Sequence, residues 1–179
     1  MAYIHFAILN TTSMQEPSLI KYFRDILILP FMVTTVVPFI LYNKQQVWLP
    51  DNSMVKIIAA CFFIVGLSLF LWTNYLFKTI AKGTLAPWTV KQKLVITGPY
   101  KYCRNPMITG VLFILISETL FLHSTNILIW TCFFFTVHIF YFAFKEEPDL
   151  YNRFGEEYKT YKENVPRWIP RLTPFPGKT

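Results

Sequence analysis

Four apolar runs constrain this chain more than any other feature. Ile26 to Tyr42 and Ile57 to Phe77 contain no charged residue, Pro106 to Leu122 contains only Glu118, and Ile127 to Phe144 carries His138 within it. A helix crossing a hydrocarbon core about 30 Å thick needs about 20 such residues, fewer at the lower limit. With 54% of the chain hydrophobic, 15% charged and a mean hydropathy of +0.38, little polar sequence is left to cover four such helices in water. The expected fold is therefore all-α: a polytopic membrane helical bundle of about four to five transmembrane helices. Disorder and collagen-like repeats are excluded by 18% aromatic residues and only 6 glycines.

Local chemistry refines the runs. Pro30 and Pro38 in the first remove amide donors, which a membrane helix tolerates when neighbouring helices satisfy the freed carbonyls, so this span is expected inside a bundle. His123 to Asn126 is short enough to be only a tight helical hairpin between the third and fourth runs. Met1 to Leu9 lacks a basic region and a cleavage pattern, so no cleavable signal is expected. Cys61, Cys103 and Cys132 lie far apart and fit neither a disulfide framework nor a zinc site; they read as reduced structural thiols, and no metal is expected.

Orientation follows from the basic residues. Lys78, Lys82, Lys91, Lys93, Lys101 and Arg104 crowd the segment from 78 to 104 without an acid, which places that segment in the cytoplasm and, by counting spans, the N- and C-termini as well. The net charge of +7 is then a matter of topology and anionic lipid, and nucleic acid is not needed to explain it.

The cytoplasmic segments carry the chemistry. Leu94 to Tyr100 reads as an extended piece running into a Gly98-Pro99 turn. Arg104-Asn105-Pro106 reads as a helix start with Asn as N-cap and Pro at the first helical position, presenting free amides and a positive dipole end beside Arg104. That suits a carboxylate or phosphate; the alternative is plain capping, with Arg104 reaching to lipid phosphate. The fourth run ends at Lys145-Glu146-Glu147-Pro148. Because the third and fourth spans form an antiparallel hairpin, Arg104 and Asn105 are expected close to Glu146 and Glu147. A zwitterion would satisfy both signs of charge. Leu150, Phe154, Tyr158 and Tyr161, spaced by four, four and three, mark an amphipathic C-terminal helix ending near Asn164, which either lies in the interface or folds over the polar loops. Glu118, inside the third span, is either a functional acid or a partner of His138, Asn74 or Lys78. Gly110 is expected to permit close helix packing.

Gly98-Pro99-Tyr100, Arg104-Asn105-Pro106 with Gly110, Glu146-Glu147, Phe154-Gly155-Glu156-Glu157-Tyr158 with Tyr161, and Val165-Pro166-Arg167 with Pro170 together resemble the isoprenylcysteine carboxyl methyltransferase family over about residues 83 to 170. The resemblance implies a single integral membrane domain over residues 1–179, with N-terminal helices in 1–82 and a cofactor-binding and catalytic half in 83–170. It implies a cytoplasmic pocket for S-adenosylmethionine contacted by Gln92, Lys93, Leu94, Val95, Tyr100, Asn105, Pro106, Met107, Ile108 and Glu146. It also implies methyl transfer to a lipophilic acceptor arriving from the bilayer, a carboxylate or, as in the related phospholipid methyltransferases, a lipid amine. Arg104 is expected to anchor charge, Glu146 to hold the cofactor ammonium, and Glu147 to orient the acceptor or pair with Arg104. Membrane lipids are the other expected partners, with no obligate protein partner. Three departures stand out: Asn105 replaces the family's histidine and cannot titrate, Ile108 replaces the family's aromatic residue two positions after the proline, and Phe142 stands where the prenylcysteine enzymes place an arginine. A four-span transporter using Glu118 is the competing class.

Overall fold

The structure is a computed structural model that describes residues 30–42, 52–81 and 94–177, and among these residues it contains helices and no strand. A π-helical stretch Met32–Val36 leads into α1, Val37–Leu41; α2 is Ser53–Leu76 with a π-helical extension Phe77–Ala81. A 3₁₀ turn, Gly98–Lys101, precedes α3, Pro106–Leu122; α4 is Thr125–Tyr141, and a further π extension, Phe142–Glu146, joins it to α5, Glu147–Asn164. Ser53–Ile80 and the apolar part of Thr125–Asn164 are long and apolar enough to cross a membrane, whereas Met32–Leu41 and Pro106–Leu122 are shorter apolar helices. At 1.5 Å per residue α3 measures about 25 Å, a little less than the hydrocarbon thickness. Gln92 and Lys93 lie outside the described residues, as do residues 26–29 of the first apolar run.

The packing is built on α2 and α3, which run antiparallel and touch backbone to backbone. A Cβ on Gly66 would lie 2.7 Å from the Gly110 carbonyl oxygen, and one on Gly110 would lie 2.8 Å from that of Gly66. Small residues here let the two helices approach further than any side chain allows. Phe62 and Phe113 continue the contact edge to face at 5.2 Å. A second layer joins α3 to α4 through Ile108, Val111, Leu112, Leu115 and Phe134. The outward face of α2 leaves Met54, Ile57, Ile64, Leu71 and Trp72 exposed, a mostly apolar surface suited to lipid.

The first helix meets its proline problem as expected. In the π register the Val37 amide donates to Met32 O, five residues back, so the carbonyl of Val33 would look to residue 38. Residue 38 is proline and has no donor. The indole Nε1 of Trp130 on α4 donates to Val33 O at 3.1 Å instead, and Asn126 Nδ2 donates to Leu41 O at 3.1 Å. Trp130→Phe keeps most of the volume but leaves that part-buried carbonyl unmet. It is expected to lower stability by about 1 kcal/mol, read as an earlier denaturation midpoint in detergent.

The hairpin between α3 and α4 matches the sequence reading. His123 ends α3 in the left-handed region at φ 48, and the Ser124 Oγ accepts from the Ile127 amide at the start of α4 at 3.5 Å. The reading of the C-terminal helix as one unbroken amphipathic helix needs correction. Gly155 adopts φ 53, ψ −128 and breaks α5 into two arms. The spacing of Leu150, Phe154, Tyr158 and Tyr161 reads as continuous because both arms turn these residues to one cluster, with Ile96, Val165 and Phe175. Glycine alone takes that backbone conformation without strain.

Candidate active site

The second arm of α5 folds back over the polar loops, which decides between the two positions that the sequence leaves open for this helix. The Tyr161 hydroxyl donates to Tyr100 O at 2.7 Å, and the chain after Asn164 runs along the loop that precedes α3. Three backbone bonds fasten it there: Arg104 N to Pro166 O at 2.9 Å, Arg171 N to Tyr102 O at 3.0 Å and Phe175 N to Lys101 O at 3.0 Å. The Cys103 thiol, buried, donates to Arg167 O at 3.1 Å, and burial pushes its pKa up, consistent with a structural thiol. Trp168 seals the end of α4 against Phe135 and Phe142, at 5.2 and 5.8 Å between rings.

At the centre of this fastening lies Glu147, the first residue of α5, whose side chain is 7% exposed. Its Oε1 accepts from Arg104 Nη1 at 2.8 Å and from Arg167 Nε at 2.8 Å, with Arg167 Nη2 at 2.6 Å, while its Oε2 pairs with Lys162 Nζ at 2.9 Å. One carboxylate thus ties the start of α3, the second arm of α5 and the tail together. Burial alone would raise the Glu147 pKa. The hydrogen bond from Lys162 and the charges of Arg104 and Arg167 outweigh it and hold the carboxyl below its ordinary range. The expected closeness of Arg104 to the glutamate pair is observed at Glu147; Arg104, with its side chain 11% exposed, is paired rather than reaching out to lipid. Tyr158, whose hydroxyl accepts from Arg104 Nη1 at 3.4 Å, has a pKa pushed up to about 12, by burial first and then by the charge of Glu147.

Glu146 faces elsewhere. It sits in the π stretch, where the Tyr141 hydroxyl donates to its Oε2 at 3.2 Å, and its charge acts on buried Tyr100. Tyr100 packs edge to face on Phe77 at 5.7 Å, in a cluster with Leu76 and Val95. Leu94 borders the Ile96, Tyr158 and Tyr161 cluster, while Met107 and Ile108 join the α3–α4 layer with Phe142 and Trp168. Buried Pro106 sits in the first turn of α3 and, having no N–H, leaves that turn one donor fewer to satisfy.

The start of α3 is the part of the site with unmet chemistry. Asn105 holds the N-cap position but its side chain makes no capping bond, contrary to the sequence reading. Its Nδ2 is buried with no partner among the described residues, and so is the Nε of the adjacent Arg104. Buried donors without acceptors are costly, and here two of them flank uncapped helix-start amides. The donor set fits an external carboxylate or phosphate.

Sequence reasoning gives no functional role to Lys162, Arg167, Tyr141, Tyr158 or Tyr161. Arg167 stands in the Val165-Pro166-Arg167 motif and is visible there; Lys162 looks like any residue on a solvated helix face. Glu118 lies apart from the site. About 24 Å along the bundle separates it from Asn74, counted at 1.5 Å per residue on either side of the Gly66–Gly110 contact, and Lys78 is farther still. His138 bonds the Phe134 carbonyl through Nδ1 at 2.9 Å. The pairing of Glu118 with Asn74 or Lys78 is therefore not what the fold contains, and Glu118 Oε2 is buried without a hydrogen-bond partner among the described residues.

Comparison with known proteins gives one finding with chemical content: a family model described as phospholipid methyltransferase matches residues 55–157, from α2 through the first residues of the second arm of α5. No curated protein and no solved structure matches the chain.

Proposed function

The chain belongs to the phospholipid methyltransferase family, which is related to the isoprenylcysteine carboxyl methyltransferases, and from that premise we propose that it methylates the carboxylate of a lipophilic acceptor at the cytoplasmic start of α3. Membership makes it a membrane methyltransferase with S-adenosylmethionine as methyl donor. The observation that carries the placement of the site is the pair of unpartnered buried donors, Asn105 Nδ2 and Arg104 Nε, at an uncapped helix start, and the cations on Glu147 favour a carboxylate as acceptor. In this reading they and the first α3 amides receive the carboxylate end of the cofactor, and Glu146, steadied by Tyr141, receives its ammonium. Leu94, Val95, Tyr100, Pro106, Met107 and Ile108 supply apolar walls that exclude water, and Gln92 and Lys93, next to Leu94 in sequence, complete the set.

When bound, S-adenosylmethionine supplies an electrophilic methyl group on a sulfonium. The residues of this chain then need only hold the acceptor in line and keep the site dry. A carboxylate nucleophile requires no base. An amine would require one, and Glu147 suits that role poorly because three cations hold it ionised and lower its basicity. Arg104 and Arg167, both on Oε1 of that single carboxylate, also leave positive charge that favours an anionic acceptor. A lipid amine is the second reading, favoured by the description of the matched family. Phe142, packed on Trp168 where the prenylcysteine enzymes carry arginine, argues for an acceptor other than prenylcysteine itself. The accompanying topology is four spans with both termini in the cytoplasm.

Calorimetric binding of S-adenosylmethionine and its demethylated product to the detergent-purified protein tests the site. Glu146→Gln is expected to weaken both at least about tenfold, the loss of one charge-assisted hydrogen bond. Unchanged affinity in the variant would remove Glu146 from the site, and no binding to the folded wild type would remove the reading as a whole.

A further inference from the structure

The break at Gly155 opens a cleft between the two arms of α5. Ala143, Glu147, Pro148 and Tyr151 line it from one side and Tyr158, Lys159, Lys162 and Glu163 from the other, around a cavity of about 510 Å³. None of the proposed cofactor contacts among the described residues lines it. Glu147 is the partition: its Oε1 turns to Arg104 and Arg167, and its Oε2 turns to Lys162 at the cleft.

Two features of the cleft point to one kind of occupant. The first is an apolar path that leads into it from the membrane. Phe133, Val137, Phe140, Phe144, Pro148 and Tyr151 succeed one another at spacings of three and four, and all are exposed, Phe144 by 76%. The Phe140 and Phe144 rings lie parallel at 6.1 Å, and Pro148 and Tyr151, the last two residues of the path, are part of the cleft wall. The second is charge. Arg104, Arg167 and Lys162 outnumber the carboxylate they share, Lys162 spends one of its three donors on Glu147, and Lys159 makes only long bonds of 3.3 and 3.4 Å to Glu156. Among the described residues Glu163 is the one further acid in the lining, and it is exposed.

We propose that the cleft binds one anionic membrane lipid, its phosphate on the ammonium groups of Lys159 and Lys162 and an acyl chain along Phe140 and Phe144. The lipid is a resident ligand that joins the two arms of α5 across the break, on the far side of Glu147 from the methyl-transfer site. A phosphate takes up the remaining Lys162 donors without displacing Glu147, and the chain covers aromatic surface that the fold leaves bare.

Phosphatidylglycerol is a suitable probe because it has a phosphate but neither an amine nor a free carboxylate, so its binding does not depend on any methyl acceptor reading. Native mass spectrometry of the full-length protein from nanodiscs of phosphatidylcholine with phosphatidylglycerol is expected to retain one phosphatidylglycerol molecule in preference to phosphatidylcholine. Lys162→Gln should weaken that retention about tenfold, the equivalent of one charge-assisted bond. Should Lys162→Gln fail to fold, the exposed Lys159→Gln and Phe144→Ala variants each test one half of the ligand, with retention expected to fall in both. Equal retention of the two lipids, or retention untouched by Lys159→Gln and Phe144→Ala, would overturn the proposal. So would glycerol phosphate competing as well as the whole lipid, since the acyl chain would then contribute nothing.

Discussion

Glu147→Gln is expected to destabilise the protein by about 3 kcal/mol, the cost typical of removing one member of a buried ion cluster, although glutamine occupies the same volume. Three cations that now share one carboxylate would face a neutral amide, and the buried Arg104 would bear most of the penalty because Lys162 and Arg167 retain more contact with water. Removing a second charge should then help. Lys162→Met in the Glu147→Gln background is expected to return part of the loss, a coupling that thermal denaturation of the four proteins of the cycle would reveal. A single variant that melts with wild type would show that the cluster contributes nothing. The pH dependence comes from the same geometry. Since the folded-state pKa of Glu147 is depressed, its contribution is complete above the ordinary glutamate value of about 4.3 and disappears as pH falls through the lower folded value. Wild type should therefore lose stability in that acid range by an amount that Glu147→Gln does not show.

The second large effect is expected at the contact between α2 and α3. Alanine at Gly66 would bring a methyl carbon to 2.7 Å from the Gly110 carbonyl oxygen and 2.9 Å from Phe113 Cβ; alanine at Gly110 meets Gly66 O at 2.8 Å and Phe70 N at 3.0 Å. Three of these four neighbours are backbone atoms, so no rotamer change relieves the crowding and the helices must part. Overpacking of that kind costs about 1–3 kcal/mol, with the upper end expected here because the clash lies within the broadest helix contact of the fold. Valine at either position should abolish folded yield. Size-exclusion profiles and melting in detergent would settle the matter, and a Gly66→Ala protein with unaltered stability would mean that the two helices are not in backbone contact.

Much of this architecture is legible in the residues. Pro106 and the short connection from His123 to Asn126 give the limits of α3 because helix-start and turn preferences act on single positions, although Asn105 takes the N-cap position without a side-chain bond, and Pro38 of the first run announces a carbonyl that another helix has to satisfy. Arg104 can be placed beside Glu147 from the shortness of the hairpin alone. The hidden parts depend on contacts distant in sequence. The break at Gly155 is invisible to periodicity because both arms feed one apolar cluster, and Lys162 and Arg167 acquire their meaning only when the tail returns to Glu147, 15 and 20 residues away. Trp130 carries no mark that it will donate to Val33, 97 residues earlier. Of the ten proposed cofactor contacts, Gln92 and Lys93 lie beyond the described residues, and Leu94, Val95, Tyr100, Met107 and Ile108 are distributed over three apolar clusters, a grouping that only the folded chain displays.

The π stretch between α4 and α5 sets a rule about chain length. Phe142–Glu146 holds one residue more than an α-helical turn of the same rotation would, and each residue of an α-helix turns the chain by about 100°. Were these same residues to tighten into α-helix, Glu147 would swing about 100° away from Arg104, and Tyr141 would no longer face Glu146 five positions on. Removing one residue from the stretch cancels that swing, because Tyr141 and Glu146 then stand four apart, the ordinary α-helical spacing, and Glu147 keeps its heading. Removing one from the α-helical part of α4 cancels nothing and turns both glutamates out of the site. Descendants of this sequence can therefore vary in length by one residue between Tyr141 and Glu146, and have no such latitude in the turns on either side.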